Sequence, residues 1–253
     1  MKKILELQDI TAGYDGNPVL LNANLAVYEN DFIGIIGPNG GGKTTLLKVI
    51  VGLLRPFSGK VIFCNDFSSN DIGYLSQVAQ TERSFPITAQ QVVQSGLMSG
   101  SYAKGFFVKN DVRIVENIME TVGIQNLAKK PVHNLSGGEF QKVMLCRAII
   151  SNPKLLILDE PNTFVDHNFE AEMHHILKKL NETMAIIMVS HDLGNISSLV
   201  KSIACINRTL AYHHENKINT KMMEVYNCPV DLITHGHVPH RVLGEHGGVT
   251  SDE

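Results

Sequence analysis

The fold that this 253-residue sequence predicts is an α/β domain with a block of helices inserted in its middle. Three observations predict it. A β-rich start runs into a strand–loop–helix unit near residue 40. A stretch from about Thr88 to Ile150 carries helical periodicity. Two continuous apolar runs, KLLILDEP and MAIIMVSHD, then flank an amphipathic segment, as strands covered on both faces flank a crossover helix.

The elements follow in order. In NLAVYEN, Leu25 and Val27 fall on one face of a strand and Asn24, Ala26 and Tyr28 on the other. DFIGIIG is a short apolar strand. LLKVIVGLL reads as a helix that stops at Arg55-Pro56, and KVIFCN and DIGYLSQ are further strands. TAQQ at 88–91 has capping-box spacing ahead of Val92, Val93 and Leu97. DVRIVENIMETVG places Val112, Val115, Met119 and Val122 on one helical stripe, ended by Gly123. EAEMHHILKKLN is the crossover helix, with His174 and His175 on a solvated face. SGSYAKGFFVKN, at 99–110, reads as an exposed loop within the helical block.

Composition narrows the function. Apolar residues make up 43% and charged residues 19%, which marks a globular chain with a core of its own. A net charge of −3 argues against a general nucleic-acid binder. No apolar run approaches the roughly 18–20 residues that cross a bilayer. MKKILELQDI has two lysines but no apolar h-region, so it reads as no secretory signal. Cys64, Cys146, Cys205 and Cys228 are scattered without CxxC spacing and read as reduced cytosolic thiols.

GPNGGGKT, residues 37–44, matches G-x-x-x-x-G-K-[ST] between a strand and a helix. Gly37, Gly40, Gly41 and Gly42, with Pro38 and Asn39, let the backbone curl so that successive N–H groups face phosphate oxygens. The helix that follows points its positive end at the same anion. Lys43 adds a full charge toward β- and γ-phosphates, and the Thr44 hydroxyl, followed by Thr45, is an expected Mg²⁺ ligand. The bland alternative is a glycine-rich turn that binds nothing. It weakens once the rest of the chain is read.

KLLILDEP ends an apolar strand on Asp159-Glu160, a pair that packing does not require. Asp159 can hold the shell of a hard Mg²⁺. Glu160 can orient and deprotonate an attacking water. MVSHD places His191 at the end of a neighbouring strand, within reach of a γ-phosphate. Ser136-x-x-Glu139 in LSGGEFQKVMLCRAI has capping-box spacing, yet Gly137 and Gly138 fill the first turn, each about 1 kcal/mol worse than alanine in a helix interior. Those glycines make sense if something approaches that backbone closely. A serine-led helix N-terminus is a second phosphate site. Two half-sites for one ligand in one chain imply a head-to-tail pair about a two-fold axis, with ATP between the loop of one copy and Ser136-Gly137-Gly138 of the other.

With these motifs in order, the chain resembles the ATP-binding subunits of ABC transporters. GPNGGGKTT looks like their Walker A loop, LSGGE their signature motif, LLILDEP their Walker B strand, SHD their switch histidine and YLSQ their Q-loop. The resemblance covers about residues 4–210. It implies a P-loop NTPase cassette with an antiparallel β subdomain and an inserted α-helical subdomain. That gives an ATPase domain over 1–225, with the helical part at about 85–150, and a tail over 226–253. It implies ATP and Mg²⁺ as cofactors and Mg²⁺ contacts from Thr44, Gln77 and Asp159. Adenine would stack on Tyr14, and Asp166 would stand at the dimer interface. The implied partners are a second copy, integral membrane permease subunits and, indirectly, an extracytoplasmic solute-binding protein. The implied place is the inner face of the cell membrane, held through the permease. Departures are Gly41 where Ser or Ala is common, which should only loosen the loop, Thr44 for Ser, Glu139 for Gln, and Phe164 in the D-loop.

SFPITAQQVVQSGL is similar to the segment after the Q-loop in zinc and manganese importer ATPases, and less closely in iron-chelate and vitamin-type importers. YNCPVDLITHGHVPHRVL is similar to the tail of some zinc/manganese-type subunits. That tail carries His235, His237 and His240, which read either as a metal-sensing site or as a polar tail with no metal role, since H-x-H-x-x-H is a weak metal signal. Two soluble rivals stand beside import. DNA-repair ABC ATPases need a long coiled-coil insertion, whereas only about 60–70 residues separate Gln77 from the signature helix. Translation-type members carry two cassettes per chain, and this chain carries one set of motifs. An iron–sulfur assembly ATPase is the other rival, and co-purification with a membrane partner would argue against both.

Overall fold

The structure, a computed structural model, describes residues 2–77, 86–98, 109–161, 167–190, 198–214, 232–235 and 238–241. Strands β1 (Lys3–Tyr14), β2 (Asn17–Tyr28) and β4 (Ser58–Phe63) form an antiparallel sheet ordered β2-β1-β4. A second sheet has six strands in the order β5-β6-β7-β3-β8-β9. They are β5 (Ile72–Leu75), β6 (Leu155–Asp159), β7 (Ala185–Val189), β3 (Phe32–Ile36), β8 (Ser202–Asn207) and β9 (Thr209–His213). Its first five are parallel and β9 is antiparallel to β8.

The uninterrupted apolar runs are explained by two cores, one on each face of the six-stranded sheet. Successive side chains of a strand point to opposite faces. Leu155 and Ile157 therefore join the core shared with β1, β2 and α1 (Lys43–Ile50), while Leu156 and Leu158 join the core shared with the helices opposite. Those helices are α2 (Ala89–Ser95), α3 (Lys109–Thr121), α4 (Gly137–Ile149) and α5 (His167–Leu180). The first three lie in the chain between β5 and β6, which makes them the inserted helical block. Their contact is close. A Cβ on Gly96 would lie 2.2 Å from the Arg147 carbonyl of α4, so a larger residue there would force α2 and α4 apart.

Local signals hold at the helix starts. Thr88 accepts from the Gln91 N–H and Gln91 Oε1 accepts from the Thr88 N–H, the reciprocal pair that the 88–91 spacing predicts. Two expectations need correction. α1 does not run to Arg55-Pro56. It ends at Ile50 because Gly52 takes φ +77°, and the Gly52 and Leu53 N–H groups return to the Val49 and Lys48 carbonyls, a Schellman closure. Val112 does not belong to the buried stripe of α3. It is 38% exposed, and Asp111 takes its place beside Val115, Met119 and Val122.

A short hairpin in the tail pairs β10 (Leu232–His235) with β11 (Val238–Arg241). No helix among the described residues is long and apolar enough to cross a membrane.

Candidate nucleotide site

Four of the predicted site positions, Gly37, Gln77, Asp159 and Glu160, gather at the C-terminal ends of parallel strands, the edge where open α/β sheets bind ligands. Gly37 follows β3, Gln77 lies two residues past β5, and Asp159 ends β6 with Glu160 just beyond. His191, past β7, and Asp166 lie outside the described residues.

The phosphate loop folds back on itself. Gly37 (φ +151°), Gly40 (φ +76°) and Gly42 (φ +106°) use backbone angles that L side chains rarely adopt. Gly42 is the N-cap of α1 and offers no side-chain acceptor, so the first amides of α1 keep their polarity toward the loop. Lys43 is buried, and its Nζ donates to the Gly37 and Pro38 carbonyls at 2.9 Å each. Gly41 does not loosen the loop as expected. A Cβ there would stand 2.9 Å from the Ile206 carbonyl oxygen and 3.0 Å from that of Pro38, and the Arg208 N–H donates to the Gly41 carbonyl at 2.9 Å. The turn between β8 and β9 thus clasps the loop from behind, with Arg208 at φ +61°.

Thr44 Oγ1 donates to Asp159 Oδ1 at 3.4 Å, joining residues 115 positions apart. Hydroxyl and carboxylate form the oxygen-only donor pair that a hard divalent cation takes, beside the Lys43 charge, so the residues present fit Mg²⁺. Burial raises the Asp159 pKa above the ordinary carboxylate value and Glu160 adds to it, against the Thr44 hydrogen bond and the charges of Lys43 and Lys48. Tyr74 of β5 is affected too. Burial first, and then the Asp159 carboxylate, push its phenol up to about 12.

The raised Asp159 pKa sets a direction for stability. Its folded value lies above its unfolded value, so the ionised group disfavours folding. That cost is absent below the unfolded pKa and sets in as pH rises through the folded one. Asp159→Asn is therefore expected to raise the melting temperature of the nucleotide-free protein at pH 7–8, with the gap closing on acidification toward pH 4. ATP hydrolysis should fall about 100-fold. Melting curves across pH and a phosphate-release assay check both arms. A variant less stable than wild type at pH 8 would contradict the stability arm.

Glu160 has φ +52°, a left-handed backbone on a non-glycine residue at the mouth of the site. Its N–H donates to the Val189 carbonyl at 3.2 Å, and Gln77 Nε2 donates to its Oε2 at 3.2 Å. A cleft of about 500 Å³ opens there, lined by Tyr14, Lys43, Thr44, Gln77 and Glu160, and also by Val19, which sequence reasoning did not single out. Lys48, equally unremarked, packs its ammonium 5.5 Å from the centre of the Tyr14 ring and 3.4 Å from its hydroxyl. Tyr14 remains 43% exposed, free to stack on a flat ring.

Ser136 is the N-cap of α4. Its Oγ accepts from the Glu139 N–H at 3.2 Å, its own N–H donates to Glu139 Oε2 at 2.7 Å, and Lys130 bridges to Glu139 at 3.0 Å. These contacts lower the Glu139 pKa, the Ser136 N–H most. Neither Ser136 nor Gly137, Gly138 or Glu139 lines the cleft. Of the tail histidines, His235 and His240 sit on β10 and β11, and His237 lies outside the described residues. Among the described residues no group of three or more His, Cys, Asp or Glu could hold a metal ion.

Comparison with known proteins agrees with this geometry. The family described as ABC transporter matches residues 20–163. A probable metal transport system ATP-binding protein of Thermotoga maritima is 39% identical over 83% of this chain and 84% of its own length. The chain belongs to the ABC transporter family. A second relative of this ABC ATPase, a zinc import ATP-binding protein of Saccharophagus degradans, is 36% identical over 87% of this chain and 82% of that protein. The cassette also superimposes on solved structures. A nucleotide-free ATP-binding cassette from an ABC transporter is 23% identical, with TM-score 0.77 over 88% of this chain and 98% of that one. A chain from an ABC transporter in an inward-facing conformation reaches TM-score 0.82 at 21% identity, over 96% and 97%. Those two likenesses are of fold. The ABC cassette expected from the motifs is the fold found, and the chain is an ATPase.

Proposed function

We propose that this chain is the ATP-hydrolysing subunit of a metal-ion importer for zinc or manganese, working as a homodimer against membrane permease subunits at the inner face of the cell membrane. The observation that carries the motor half is the meeting of Lys43, Thr44, Gln77 and Glu160 at one cleft, with the buried Asp159 bonded to Thr44 behind them. The names of the relatives, metal transport and zinc import, support the cargo half. Gly37 to Thr45 wrap the triphosphate with backbone N–H groups, and Lys43 exchanges its loop carbonyls for β- and γ-oxygens. Tyr14 stacks on adenine. Thr44, Asp159 and Gln77 would hold Mg²⁺, which would supply positive charge against that developing on the phosphates. Glu160 aligns water and takes its proton, and His191 holds the γ-phosphate.

The signature residues stand away from the cleft of their own chain, which is the reason to pair two copies, each capping the other's nucleotide with Ser136, Gly137 and Gly138. Glu139 braces that serine, and Asp166 lies where the two copies meet. A solute-binding protein outside the membrane would hand cargo to the permease.

Deleting the gene and asking which metal restores growth under chelation tests the cargo. Zinc or manganese alone should restore it. Rescue by a ferric chelate or a vitamin, with no response to either metal, would overturn the assignment.

A further inference from the structure

The buried face of α4 is apolar except at Gln141. A buried amide disfavours folding unless it is hydrogen-bonded, so a core helix position gains nothing from glutamine as packing. The Gln141 Nε2 donates to the carbonyl of Pro161, the residue after Glu160. Glu160 is itself held in a left-handed conformation that a non-glycine residue keeps only when its surroundings enforce it. Its backbone is tied on the N-terminal side by its own N–H to the Val189 carbonyl. On the C-terminal side the tie is Gln141.

We infer that Gln141 is a positioning residue for Glu160, and that through it the helix led by Ser136 bears on the water-activating carboxylate of the same chain. The inference rests on the proposed role of Glu160 as general base. The two ties bracket the strained residue, one from the neighbouring strand β7 and one from α4. The helix that would cap a partner's nucleotide is therefore tied, through the Gln141 side chain, to the backbone at the chain's own catalytic strand end. A shift of α4 on closure of the pair pulls on Pro161 and re-aims Glu160. Gln77 meets Glu160 from the other side, at its carboxylate.

The test is Gln141→Met, which keeps length and approximate volume and removes the donor, with Gln141→Glu at acidic and neutral pH as the second variant. Glutamate donates to the Pro161 carbonyl only when protonated. For Gln141→Met, kcat for ATP should fall about tenfold, while the affinity for a fluorescent ATP analogue stays within about twofold and the melting temperature does not drop. For Gln141→Glu, kcat relative to wild type should recover as pH falls. Unchanged kcat in Gln141→Met, or affinity and stability falling in step with kcat, would overturn the inference, and so would a flat pH ratio in Gln141→Glu. Glu160→Gln measured alongside separates the two readings. If that variant turns over normally, the role of Glu160 fails. If it is inactive while Gln141→Met is not impaired, only the positioning role fails.

Discussion

Glu160→Gln is expected to abolish turnover while leaving ATP bound, with kcat falling by about 100- to 10,000-fold, the range that a general base supplies. The amide keeps the length and can still meet Gln77, whose Nε2 lies 3.2 Å from Glu160 Oε2, so the cleft should keep its shape. What is lost is the capacity to take a proton from water. Bound ATP then persists, and the closed pair with it. Size-exclusion chromatography with ATP and Mg²⁺ should show a dimer that wild type populates only transiently, and filter binding should recover two nucleotides per pair. A variant that releases phosphate at the wild-type rate would remove Glu160 from the mechanism. One that stays monomeric at every protein concentration would remove the head-to-tail pair.

Gly37→Ala should be the most damaging small substitution in the phosphate loop. Its Cβ would fall 1.9 Å from the Ile206 carbonyl oxygen, a backbone atom of β8 that cannot swing aside. Either the loop or the strand must move by more than an ångström. The expected cost is about 2–4 kcal/mol in stability, together with loss of ATP binding, since the amides that face the phosphates move with the loop. Gly40→Ala is the control. Its Cβ would meet nothing within 4 Å, so only the positive φ penalises it, at about 1 kcal/mol. Thermal melts and nucleotide titrations of the two variants separate crowding from conformational strain. Equal losses in both would mean that the approach of β8 to the loop is not what demands glycine at position 37.

The parts of this molecule legible in the sequence are those whose signals are local. The phosphate loop announces itself within eight residues, and the capping pairs at Thr88–Gln91 and Ser136–Glu139 within four. LLILD and AIIMV are legible as buried strands because both of their faces are apolar. What escaped depends on partners far along the chain. Gln141 carries no local signal, because the carbonyl that its amide meets belongs to Pro161, 20 positions along the chain. Gly41 looked like a loosening because nothing nearby in sequence says that Ile206 and Arg208 press on it. Lys48 and Val19 carry no motif, and they reach the site only because α1 and β2 converge beside Tyr14. Val112 fitted a helical stripe by spacing alone, but which face of α3 is covered is decided by α2 and α4. Arg55-Pro56 drew attention as a stop signal, yet Gly52 had already closed the helix.

The strand that ends in Asp159 has apolar neighbours above and below along its whole length. Water-avoidance alone therefore cannot tell that strand which residue to place beside which: sliding it by one position would exchange Leu155 and Ile157 for Leu156 and Leu158 and bury as much hydrocarbon. The reading frame must come from its two ends. Lys154, anchored to the Asp66 carbonyl and to Asp71, marks one end, and the carboxylates at 159 and 160 mark the other. The acidic pair thus doubles as a stop against slippage of the central ladder.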